Sequence, residues 1–242
     1  MKNKSRIKSA VAAAALATAS SQAATIAINF TGGGYGPVGQ DVTQEAFGFA
    51  AAEWENYRGA DTAGDDTTAF EGVAFTFTSN NDWTQNNAGG SGYTGTTGED
   101  EVSYGYLDDG GAGVKIAASG LSAWLAANGA SEYRVQLIAS QGNGGSGTYE
   151  DVTLLDSSGG SNLGTFSVTM TPGGTNTANT WQGGSNYITG LTSDTFYVDG
   201  NVRDGANRSS IAGIIITTVP EPSSSALIGL AGLGLLIRRN RG

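Results

Sequence analysis

The chain has no cysteine and no histidine, and only 4 prolines and 2 methionines among its 242 residues. Without cysteine there is no disulfide, no thiolate-ligated zinc or iron–sulfur cluster and no thiol nucleophile. Without histidine there is no Ser-His-Asp triad, no imidazole base and no imidazole metal ligand. Carboxylates, tyrosines, a few lysines and arginines, and oxygen-ligated cations are the chemistry that remains. Basic residues are scarce where they would matter most: between residues 25 and 219 there are 21 acids and five bases, in a chain of formal net charge −10. Phosphate neutralisation needs clustered Lys and Arg, so nucleic acid is excluded as a partner. What the chain has in excess is glycine, 39 residues, about twice the usual share. Its length accommodates one all-β domain with a real core.

The basic residues that do exist gather at the two ends. Lys2, Lys4, Arg6 and Lys8 precede an Ala-rich apolar stretch, Ala10–Ala19, and then Ser20-Ser21-Gln22-Ala23-Ala24. Cleavage after Ala23 puts Ala at −1 and Ser21 at −3, the small-x-small pattern that a signal peptidase requires. Residues 1–23 therefore read as a signal peptide, and the chain as exported. Its lack of cysteine is compatible with that, since an oxidising compartment permits disulfides without demanding them.

The other end reads in three parts. Val219-Pro220-Glu221-Pro222-Ser223 is followed by the apolar run Ala226–Ile237 and then by Arg238, Arg239 and Arg241. A helix over those 12 residues spans about 18 Å against a hydrocarbon core of roughly 30 Å, so flanking Ser and snorkelling Arg side chains would have to extend it. The terminal arginines would lie on the cytoplasmic side by the positive-inside rule. The basic N-terminus starts there too, which leaves the intervening domain outside the inner membrane.

This tripartite tail resembles the PEP-CTERM sorting signal of Gram-negative, exopolysaccharide-producing bacteria. The resemblance covers residues 219–241 and rests on V-P-E-P-S, the Leu/Gly/Ala run and the closing R-R-x-R. It implies that an exosortase recognises Pro220, Glu221 and Pro222, with Arg238, Arg239 and Arg241 as the basic stop, and processes the tail near the Pro-Glu-Pro motif. It also implies transient anchoring in the inner membrane, followed by transfer to the cell surface or extracellular matrix.

Between the ends, residues 24–218, short apolar or alternating runs recur between Gly/Ser/Thr/Asn/Asp-rich segments. Strands are expected at 25–30, 72–78, 102–107, 114–118, 133–139, 152–155, 163–170, 186–189, 195–198 and 211–217. Val73, Phe75 and Phe77 share one face of their run, as do Tyr133, Val135 and Leu137 of theirs. Such spacing predicts an all-β, single-domain β-sandwich or jelly roll, flanked by the signal peptide and by the tail 219–242 with its short hydrophobic helix at Ala226–Ile237. Short helices are expected at Thr43–Tyr57, where Phe47, Ala51 and Trp54 form a stripe, and at Leu121–Ala127. The Gly-rich segments match no phosphate-binding loop.

Three site readings stand beside one another. Acidic clusters, foremost Asp61 with Asp65 and Asp66, offer oxygen ligands for structural calcium, the competing reading being solvated loop charge. Aromatic residues beside polar segments, Trp54 and Trp83 in particular, would stack on sugar rings in a carbohydrate-binding module, unless they serve the core. Glu53/Glu55, Glu99/Glu101 and Glu150 supply the paired carboxylates of a glycan hydrolase by residue type alone. The leading expectation is an exported, non-enzymatic surface or matrix protein associated with exopolysaccharide, with signal peptidase and exosortase as processing partners.

Overall fold

Two kinds of hydrophobic pattern build the fold. Val73–Ser79 and Thr195–Asp199 alternate buried and exposed residues, so each such strand has one face for a core and one for water. Thr25–Phe30 and Gly213–Pro220 are instead buried almost continuously, which requires cover on both faces.

The computed structural model describes residues 23–31, 41–58, 64–79, 81–84, 97–109, 113–138, 152–166, 187–200 and 209–220. Its strands are β1 (Thr25–Phe30), β2 (Trp54–Tyr57), β3 (Gly64–Phe70), β4 (Val73–Ser79), β5 (Asn81–Thr84), β6 (Gly105–Asp109) and β7 (Lys115–Ser119). They continue as β8 (Ala130–Ile138), β9 (Val152–Leu155), β10 (Asn162–Phe166), β11 (Tyr187–Leu191), β12 (Thr195–Asp199), β13 (Ser209–Ile211) and β14 (Gly213–Pro220). Two short helices are α1 (Gly98–Tyr104) and α2 (Leu121–Ala127).

The strands form a five-stranded sheet, β11-β8-β14-β1-β2, a six-stranded sheet, β10-β9-β12-β7-β4-β3, and a three-stranded one, β13-β6-β5. The two large sheets pack face to face as a β-sandwich. Ile26, Ile28, Phe30, Tyr133, Val135, Leu137, Ile214 and Ile216 from the first meet Val73, Phe75, Phe77, Ile116, Leu154, Phe196 and Val198 from the second in one core. Within it Phe30 meets Phe77 edge to face, ring centroids 5.0 Å apart. A second, smaller core lies behind the five-stranded sheet, where Ala27 and Ile215 are covered by Val42, Ala46, Trp54, Val102 and Tyr106.

Several expected elements take another form. Thr43–Tyr57 is not a helix: it holds a turn at Ala46–Phe49, a single 3₁₀ turn at Ala51–Glu53, and β2. β2 pairs in parallel with β1, with Trp54 opposite Ala27. The apolar stripe that suggested a helix serves the second core instead. Residues 102–104 are helical, and the strand expected from Val102 begins at Gly105. Thr97-Gly98-Glu99-Asp100 carries the start signal for that helix, with Thr97 Oγ1 accepting from the Asp100 N–H at 3.2 Å and acids in the first turn. β3 pairs with β4 through a two-residue turn, Glu71 and Gly72, both at positive φ (51° and 80°), the backbone of a type I′ hairpin.

Two glycines let α1 sit where it does. A Cβ on Gly98 would lie 2.2 Å from the Glu45 carbonyl oxygen, and one on Gly105 2.3 Å from that of Phe30. No side chain fits either approach.

Candidate functional site

Of the acids that the sequence offered as paired catalytic groups, Glu53 accepts from the Ala50 N–H at 2.7 Å, Glu55 is exposed on β2, and Glu150 lies outside the described residues. Glu99 and Glu101 accept hydrogen bonds from the segment 43–47. Glu101 is buried, 2% exposed, and accepts four hydrogen bonds. Thr43 donates from Oγ1 at 2.6 Å and from its N–H at 2.7 Å. Gln44 donates from its N–H and from Nε2, both at 3.2 Å. Burial pushes the Glu101 carboxyl upward, but these donors from Thr43 and Gln44 outweigh it and hold the group below its ordinary value. Glu99 accepts from the Phe47 N–H at 3.1 Å. Phe47 and Gly48 are the left-handed pair of the Ala46–Phe49 turn (φ 54° and 83°), so Glu99 braces a strained aromatic position. The acidic helix α1 therefore fastens the segment covering the second core.

The calcium candidates fall apart in a different way. Asp61 lies outside the described residues. Asp65 and Asp66 are consecutive in β3 and point to opposite faces of the sheet. Asp65 accepts from Thr78 Oγ1 on the exposed side. Asp66 accepts from the Tyr57 hydroxyl, whose proton is held more tightly than usual by burial and by that carboxylate. Among the described residues no group of three or more acidic side chains is close enough to share a metal ion.

Trp54, expected as a sugar-stacking surface, is a core residue at 5% exposure. Its pairing beside Ala27 turns the indole into the second core, 6.0 Å from the Phe47 ring. Trp83 lies on β5 opposite Tyr106, and its side chain is outside the described residues.

The open face of the six-stranded sheet carries a feature that residue types alone did not reveal. Registers place Thr67, Thr76, Ala117, Tyr197 and Leu155 in one row across β3, β4, β7, β12 and β9. The parallel row beside it reads Asp65, Thr78, Lys115, Asp199 and Thr153, in which Lys115 pairs with Asp199. Small residues at Ala74 and Ala117 leave a groove of about 290 Å³, walled by Tyr197 and overhung by Ser157 and Ser158. Thr76, Ser119 and Thr195 add hydroxyls, and among the described residues no carboxylate, lysine or arginine lines it. The groove can hold a hydroxyl-rich ligand against an aromatic edge. Sequence reading missed Tyr197, although the alternation Thr195-Phe196-Tyr197-Val198 is the signal that marks it as outward-facing; which small residues lie beside it follows only from the register.

The last described strand leads into the tail. In β14, Thr217 lies opposite Thr25 of β1 and Arg134 of β8, Val219 opposite Glu132, and Pro220 opposite Ala130. The Thr218 N–H donates to the Ala24 carbonyl at 2.9 Å, and the Ala24 N–H to Thr218 Oγ1 at 2.8 Å. Ala24 thus lies beside the strand that ends in Pro220, immediately after the expected cleavage point at Ala23. Glu221, Pro222, Arg238, Arg239, Arg241 and the apolar run lie outside the described residues. Among the described residues no helix is long and apolar enough to cross a membrane.

The family model for the PEP-CTERM protein-sorting motif matches residues 218–241. The tail is a PEP-CTERM sorting signal. The chain is accordingly an exported protein whose C-terminal signal implies processing by an exosortase. No curated protein and no solved structure matches the chain.

Proposed function

We propose that the β-sandwich is a non-catalytic component of the cell surface or extracellular matrix, held in contact with exopolysaccharide after its PEP-CTERM tail has been processed. The observation that carries this reading is the sorting signal at 218–241, joined directly to the last strand of the sandwich. The use of Glu101 as a structural acceptor supports it, since both of its oxygens are taken up by donors from Thr43 and Gln44. The test is fractionation of the native host with intact mass, comparing wild type with Pro220→Ala/Glu221→Ala. A mature form starting near Ala24, lacking the arginine tail and found outside the cell in wild type alone, is the expected result. A full tail retained in the inner membrane in both strains would replace it with an ordinary anchored ectodomain.

The groove beside Tyr197 favours a second reading, a specific carbohydrate-binding module. Retardation in polysaccharide-containing gels that disappears in Tyr197→Ala would favour that reading over a purely structural role. A glycan hydrolase would instead release sugar, with single Glu→Gln changes abolishing release.

A further inference from the structure

The sorting signal starts inside the fold. The matched motif begins at residue 218, and β14 runs to Pro220, so the first three residues of the signal are strand residues. Thr218 is 3% exposed and bonded to Ala24 on one side. Val219 and Pro220 are paired with Glu132 and Ala130 of β8 on the other, across a bulge. From Pro220 to Ala226, where the apolar run begins, is six residues, at most about 20 Å of extended chain. An enzyme acting at Pro-Glu-Pro, between the apolar run and β14, has almost no spacer before it meets the sandwich. Enzymes that act on a peptide backbone take it as a free, extended segment, and reach protected ones through local opening.

We propose that the β domain holds the beginning of its own sorting signal, so that the exosortase engages Pro220 only when the C-terminal end of β14 has left β8 and β1. This rests on the sorting reading above, including processing near Pro-Glu-Pro. Strand ends open at low free energy, so processing in the native protein proceeds through this fraying. The bonds between Thr218 and Ala24, the residue preceding β1, make the expected site of signal-peptide removal the neighbour of the segment that must open.

The absence of cysteine makes a clean test available. Val219→Cys with Glu132→Cys puts one pair of thiols directly across β14 and β8, at the ~4.5–5.5 Å Cα separation of antiparallel partners, within disulfide range. Tail removal is followed by intact mass in membranes of the native host, with the full chain oxidised and then reduced, and wild type under the same reductant as control. The expected result is that oxidation slows processing roughly tenfold or more, and reduction restores it. A second variant inserts Gly-Ser-Gly-Ser between residues 219 and 220 of the clamped chain, freeing Pro220; it is expected to be processed even when oxidised. Equal rates for the oxidised and reduced forms overturn the proposal. So does an inserted, oxidised chain that stays unprocessed, or a pair of thiols that will not oxidise. Failure of the sorting reading is separate: Pro220→Ala/Glu221→Ala would then behave as wild type.

Discussion

The two large sheets differ in how many faces they cover. The six-stranded sheet buries Val73, Phe75 and Phe77 toward the core while Ala74, Thr76 and Thr78 stay on its open side. The five-stranded sheet buries Ile214, Ile215 and Ile216 in succession, because a second core closes over its back. The open face carries the groove beside Tyr197. The covered face depends on close fits among α1, the segment that it fastens, and β1.

That contrast fails if the covered face tolerates bulk. Gly105→Ala forces a Cβ against the Phe30 and Thr31 backbone and is expected to cost at least about 4 kcal/mol or abolish folding. Chemical denaturation checks it; a midpoint near wild type would mean the contact relaxes freely.

Glu101→Gln tests the fastening of that cover by hydrogen bonds. It replaces a charged acceptor of four bonds by an amide that cannot accept them all, and a loss of about 2–4 kcal/mol is expected. The pH dependence has a definite sign. The folded-state value is depressed, so the Glu101 contribution is fully present above its ordinary value of 4.5 and is lost as pH falls through the lower folded value. Thermal melts of wild type should show this acid loss, and those of Glu101→Gln should show less of it. Identical acid limbs would remove Glu101 from the account.

On the open face, Tyr197→Ala is expected to cost about 1 kcal/mol or less, because the ring is half-exposed. A larger loss in a urea titration would mean that the groove wall is part of the core. Asp65→Asn should do least, within about 0.5 kcal/mol, since its bond to Thr78 is exposed. A melting temperature that moved clearly with Asp65 would indicate a role that the sheet surface does not supply.

Sequence reading was strongest where pattern is local. The alternation at 73–77 and 133–137 and the apolar runs at 26–30 and 214–216 placed central strands of both sheets. It failed at β3, where Gly-Asp-Asp-Thr-Thr-Ala-Phe shows no apolar alternation and takes its form from the Glu71-Gly72 turn and from β4. It failed also at Trp54, since helical spacing and a parallel edge strand both bring such residues inward. At the candidate sites, carboxylates could be counted but not assigned, because Glu101 meets Thr43 from 58 positions away.

By itself the sequence determined an all-β middle and a PEP-CTERM tail, because charge blocks, apolar run lengths and alternation are properties of contiguous residues. Only the tertiary structure decided that Glu101 fastens Thr43 and Gln44, that Trp54 is core and Tyr197 surface, and that the tail begins within β14 beside Ala24. Those outcomes depend on register and on contacts between distant segments, and register is set by the packing of whole sheets rather than by any stretch of chain read alone.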